Sequence, residues 1–146
     1  MLQRLAALCA RTEQCEYDLR EKMRRAGMAS ADAERVLQRL REGKFVDEGR
    51  FARAFAADKV RFAGWGRAKI SLALVRKRVP RPLIDEALAA IDRKEYIEAL
   101  KRAGAAKART LDMTDYADVQ KFYRHMLSRG FETALVSKLV EYLRRE

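Results

Sequence analysis

The stretch DEGRFARAFAADKVRFAGWGRAKI, residues 47–70, decides how the rest of the chain is read. Asp47 is placed to cap a helix by accepting a hydrogen bond from an N–H group that the first turn leaves unpaired. Apolar residues then recur at three- and four-residue steps as far as Phe62, Gly64 and Gly66 bracket Trp65 in a turn, and a second helix begins near Arg67. At about 100° per residue, Phe51, Phe55 and Phe62 fall within about 40° of one another, an aromatic stripe expected in the core. Asp58 falls inside that stripe, where an unpaired carboxylate is costly. It is therefore expected to pair with Arg61 or Lys59, or to accept backbone N–H groups at the next turn. Trp65 reads as a plug between two helices, with stacking on a base as the alternative.

The same pattern runs through the whole chain. Seven glycines, two prolines and no alternating β-branched run leave helices as the expected elements, over about 2–10, 13–26, 31–42, 48–63, 67–78, 82–91, 94–108, 115–128 and 132–145. Thr12 and Ser30 are expected caps like Asp47, and Pro82 suits a first helical turn. Gly27, Gly43, Gly64 and Gly130 follow helical stretches, where a left-handed closing residue is cheap for glycine.

An internal repeat organises these helices. Leu19, Met23 and Leu37 recur 51 residues later as Ile70, Leu74 and Leu88, and these recur 52 residues later as Phe122, Met126 and Val140. Three helices per repeat imply three modules, 1–46, 47–93 and 94–146, each too small for a generous core of its own. The expected fold is all-α, three tandem three-helix modules in an elongated, curved array. Within 67–78, Ile70 and Leu74 form one apolar face and Ala68, Leu72 and Val75 a nearly opposite one, so this helix is expected to be sandwiched.

Composition narrows the function. The chain of 146 residues carries 32 Lys+Arg against 21 Asp+Glu, a formal charge of +11, which points to a polyanion or an acidic protein surface as partner. No run approaches the length of a membrane span, and the N-terminus turns polar too soon for a signal peptide, so a cytoplasmic protein without membrane contact is expected. Cys9 and Cys15, with the single His125 far away, offer no zinc spacing and read as structural. No phosphate loop, dinucleotide fingerprint or nucleophile setting is present, so neither catalysis nor a cofactor or metal is expected.

The charged positions carry the remaining expectation. Arg50 and Arg61 line one flank of the 48–63 helix, with Ala54 and Ala57 between them; Lys69 and Arg76 line the next, with Ala73 between. Basic lines bordered by small side chains admit a phosphate backbone or an acidic groove closely. The run VRKRVPR at 75–81, with Arg76, Lys77, Arg78 and Arg81, is the densest, and Arg24 and Arg25 end an earlier helix. Helix-dipole complementation accounts for part of this charge but not for the density at 75–81.

Over about 9–91 the chain resembles the RecX family of bacterial regulatory proteins. The resemblance is carried by Phe45, Asp47, Arg50, Phe51 and Ala52, in the pattern F-x-D-x-x-R-F-A, followed by Gly66, Lys69, Ile70 and Leu74. It implies an all-helical protein of three modules that binds the RecA recombinase and lodges in the groove of its filament on single-stranded DNA. There it restrains strand exchange, ATP hydrolysis and co-protease activity in recombination and repair. It implies DNA contact through the basic face, and no dimer signal stands against a monomer. The alternative is a helical protein that binds DNA directly, without a recombinase. One position departs from the family: Arg78 stands at the turn equivalent to Gly27 and Gly130, so either the helix ends differently there or Arg78 takes an uncommon backbone state.

Overall fold

The computed structural model describes residues 1–145, and every regular element among them is helical. The helices are α1 (Leu2–Arg11), α2 (Glu16–Arg25), α3 (Ser30–Glu42), α4 (Glu48–Asp58), α5 (Arg67–Arg76), α6 (Arg81–Ala89), α7 (Arg93–Ala108), α8 (Tyr116–Ser128) and α9 (Thr133–Arg145). Asp47 caps α4 as expected, its Oδ1 accepting the Arg50 N–H at 2.9 Å. The other two expected caps shift. α2 starts later than its sequence signal, so Cys15 Sγ accepts the Asp18 N–H while Thr12 closes α1. Ser30 is already the first residue of α3.

α4 runs directly into a π-helical turn, Lys59–Ala63, and this overturns part of the aromatic-stripe reading. Phe51 is buried and Phe55 half-buried, 5.6 Å apart between ring centroids, but Phe62 is 78% exposed and Asp58 is exposed as well. The buried arc is centred on Ala52 and Ala56 and continues to Val60, so the phenylalanines lie at its edge. The wider i→i+5 turn also advances each residue through a smaller angle than an α-helix does, which carries Phe62 further outward. α5 is covered on one face only: Ile70 and Leu74 are fully buried, whereas Ala68, Leu72 and Val75 are exposed, so it is not sandwiched.

The repeat is visible in the backbone. Gly27, Arg78 and Gly130, spaced by 51 and 52 residues, all have positive φ, of 84°, 60° and 98°. Each closes its helix with the same pair of hydrogen bonds. The outer bonds run Met28 N to Met23 O at 3.0 Å, Val79 N to Leu74 O at 3.1 Å and Phe131 N to Met126 O at 3.3 Å. The aligned positions are buried except Leu88, which is half-buried. At the end of α3 the left-handed residue is Lys44 (φ 59°) rather than Gly43, one residue later than the glycine signal suggests.

By contacts the chain forms two compact units, Met1–Phe55 with Leu74–Ala87, and Ala56–Ala73 with Leu88–Glu146. In the first, Leu5, Cys9, Leu19, Met23, Ala33, Leu37, Leu40 and Val46 form a core between α1, α2 and α3. Polar ties hold its edges. The Glu16 N–H donates to Glu48 at 2.8 Å, the Glu16 carboxylate pairs with Arg41, and Arg50 Nε donates to Glu13 at 2.6 Å. In the second unit, α7, α8 and α9 pack around Tyr96, Leu100, Phe122, Met126, Val136 and Val140.

Burial pushes the Cys15 thiol up from 9.0 to about 12. The neutral thiol is thus the form the fold favours. Its contribution to stability is complete below pH 9 and is lost as pH rises from 9 towards 12. Urea midpoints measured from pH 8 to 11 should fall across that window, and a Cys15→Ala variant should fall less steeply over the same range.

Candidate polyanion-binding surface

α2 and the end of α5 bring most of the expected basic residues of the first unit together. Lys77 Nζ donates to Asp18 Oδ2 at 2.8 Å, and the Arg78 guanidinium lies 5.5 Å from the Tyr17 ring centroid. Glu21, one turn along α2, is held below the usual carboxylate range by its hydrogen bond from Arg24, aided by the charges of Arg24, Arg25 and Arg78. Arg25 and Arg76, equivalent positions in the repeat, are exposed and make no ion pair among the described residues. Arg81, also exposed, pairs with Asp85 at 3.2 Å. A shallow groove lined by Gln14, Tyr17, Asp18, Glu21, Lys22 and Arg25 runs beside them.

The other expected contact residues lie elsewhere or are engaged. Arg50 is turned inward: besides Glu13, it donates to the Lys44 and Phe45 carbonyls at 3.1 and 3.2 Å, tying the α3–α4 connection to the segment before α2. Arg61 and Lys69 belong to the second unit. Arg61 Nη2 meets both oxygens of Glu95 at 3.0 and 3.1 Å. The ammoniums of Lys59 and Lys69 lie 4.7 and 4.6 Å from the Trp65 ring centroid, a half-buried indole that both lysines cover. Neither unit monopolises the charge: the first has 16 Lys+Arg and 11 Asp+Glu, the second 16 and 10.

Sequence reasoning missed the residues that orient these cations. Tyr17, Asp18 and Glu21 sit at three- and four-residue steps on α2, a spacing that marks one face. Nothing local shows that residues 77 and 78 would meet that face. Arg67, Tyr96 and Glu132, which interlock in the second unit, were equally silent, since they are separated by 29 and 36 residues in turn.

Arg78 offers a clean test. A left-handed backbone costs a non-glycine residue about 1 kcal/mol or more, so the fold alone would favour glycine there. Arg78→Gly is expected to leave stability unchanged or raise it by up to about 1 kcal/mol. Arg78→Ala keeps the strain and loses the Tyr17 contact, so it should be less stable than Arg78→Gly; urea denaturation of the pair checks this.

Comparison with known proteins fits this geometry to a family. Residues 47–88, which contain α4, α5 and most of α6, match the family model described as RecX, second three-helix domain. Proteins named Regulatory protein RecX match most of the chain. That of Prosthecochloris aestuarii is 29% identical over 133 residues, covering 90% of this chain and 85% of its own length. Together these matches support a RecX-family protein. The RecX proteins of Clostridium tetani (30% identical, 83% of this chain and 55% of the relative) and Clostridium beijerinckii (25%, 90% and 62%) are longer. The chain thus spans about six-tenths of the length of these clostridial relatives. Among solved structures, RecX from Lactobacillus salivarius superposes with a TM-score of 0.83 at 14% identity, over 99% of this chain and 95% of that one. A second crystal structure of regulatory protein RecX gives the same TM-score at 18% identity, over 96% and 70%. At that identity the superpositions show the fold.

Among the described residues no helix is long and apolar enough to cross a membrane, and no three His, Cys, Asp or Glu side chains group as a metal site.

Proposed function

We propose that this RecX-family chain binds the RecA recombinase filament on single-stranded DNA and restrains its strand exchange, ATP hydrolysis and co-protease activity. The observation that carries the reading is the exposed pair Arg25 and Arg78, both acting on Glu21, with exposed Arg76 two residues before Arg78, in a unit that includes just over half of the family-matched segment. A filament on single-stranded DNA would offer phosphates and protein carboxylates, and guanidinium groups engage both through paired N–H donors. Lys77 and Arg81 flank the cluster, with Asp18 and Asp85 keeping them oriented. Successive modules at 1–46, 47–93 and 94–146 would let contacts that are weak singly add through effective concentration. The protein acts as a monomer in the cytoplasm, without cofactor or catalysis of its own.

Binding to preformed filaments and to bare single-stranded DNA separates this from direct DNA binding. On this reading the protein joins filaments at concentrations and salt where bare DNA stays unbound. Equal affinity for bare DNA, falling steeply with salt, would instead mark a nucleic-acid binder.

A further inference from the structure

The second unit holds a cavity that the filament reading does not use. Ala103, Ala106, Lys107 and Thr110 from α7 and the turn after it face His125 and Arg129 from the end of α8, around a space of about 280 Å³. No carboxylate lines it. Arg129 is already fixed, its Nε donating to the Gly64 carbonyl at 3.1 Å and its Nη2 to the Ala63 carbonyl. Lys107 makes no ion pair among the described residues. The Thr110 hydroxyl donates to the Lys107 carbonyl at 2.8 Å, which leaves its oxygen lone pairs free of that bond and braces the end of α7.

We propose that this cavity is a binding site for the phosphate group of a nucleotide unit, held by Lys107, Arg129 and protonated His125, with Ala103 and Ala106 against the sugar or base. An anchored guanidinium, an ammonium and a titratable imidazole lining one space without an acidic partner suit an anion with several oxygens. The space exceeds that of a bare phosphate, and its alanine floor suits an attached apolar body. The charged groups that face His125 are Lys107 from α7 and Arg129 from the end of α8. Burial first, then these two cations, push the imidazole below its ordinary value, so it is neutral in the empty cavity at neutral pH. A bound phosphate reverses the local potential. Binding therefore takes up a proton and tightens as pH falls, because the protonated imidazole is the form that the anion stabilises.

His125 is the single histidine in the sequence, so its imidazole proton resonance reports on this site alone. The experiment titrates that resonance in chloride and, at matched ionic strength, in sulfate, which does not itself titrate between pH 5 and 9. Parallel arms use deoxyadenosine monophosphate and a short oligodeoxynucleotide. The midpoint should rise by about one pH unit in saturating sulfate, equivalent to about tenfold tighter binding to the protonated form. In Lys107→Gln the midpoint without ligand should be higher than in the wild type, and the rise with sulfate smaller. A response to the mononucleotide identifies a free nucleotide as the source, and a response confined to the oligomer identifies a backbone phosphate; both support the site. Equal midpoints in sulfate and chloride, or an equal response in Lys107→Gln, would overturn it. Neither result bears on filament binding, which is read by ATPase with the first unit's arginines.

Discussion

Gly66→Ala is expected to be the most damaging single substitution in the second unit. A Cβ at this position would lie 2.2 Å from the Gly130 carbonyl carbon, 2.3 Å from its oxygen and 2.3 Å from the Phe131 nitrogen. All three are backbone atoms, so no side chain can swing aside. The approach is held by hydrogen bonds from Gly66 N to Arg129 O at 2.7 Å and from Ala68 N to Gly130 O at 3.1 Å, both of which the methyl group would open. Overpacking and two lost backbone bonds together cost about 3–5 kcal/mol, a large share of the stability of a small domain. Gly27→Ala is the control. It has positive φ but nothing within 4 Å of the added atom, so it should cost about 1–2 kcal/mol from backbone strain alone. Equal urea midpoints for the two variants would show that close approach at Gly66 is not what requires glycine.

Glu132→Ala should come next in severity, through a network rather than a clash. Tyr96 is 1% exposed; its hydroxyl donates to Glu132 and accepts the Arg67 N–H at 2.9 Å, while the Arg67 guanidinium pairs with Glu132 at 2.7 Å and lies 4.0 Å from the Tyr96 ring centroid. Without the carboxylate, the phenol and guanidinium both lose an acceptor, at about 2–3 kcal/mol. Tyr96→Phe removes the phenol's need for a partner, so the double variant should be less destabilised than the two single variants summed, by about 1 kcal/mol or more. Strict additivity would mean that the three residues do not act as a unit. Burial, with Glu132, also holds the Tyr96 phenol well above its ordinary value of 10.0. This residue's contribution is therefore complete below that pH and is lost above it.

The fold was legible because helix signals and the repeat are local or regularly spaced. Leu19, Ile70 and Phe122 announce equivalent buried positions at a constant offset, and glycines mark two of the three matching turns. What failed depended on neighbours. Phe62 looked buried only while the helix was assumed to keep its α pitch past Asp58, and no residue between 58 and 63 signals the π turn. Leu72 and Val75 looked like a second packing face because apolarity in sequence does not say which sides of α5 are covered. The basic residues were visible as types. Which of them are absorbed internally was not, because Arg50 meets Glu13 37 positions away and Arg61 meets Glu95 34 positions away. Arg78 is the instructive case. Its departure from the glycine at matching turns was readable, and the backbone adopts the left-handed state that the departure raised as one option.

The central claim is that exposed arginines of the first unit engage a recombinase filament, and the direct measurement is ATPase inhibition of preformed RecA filaments on single-stranded DNA. Wild type and the variant Arg25→Ala/Arg76→Ala/Arg78→Gly are titrated in parallel. Exposed charge contacts contribute about 0.5–1 kcal/mol each, so the triple variant should keep its helical content and melting behaviour yet require about tenfold to a hundredfold more protein for half-inhibition. Inhibition by the folded triple variant at wild-type concentrations, or no inhibition by the wild type, would contradict it.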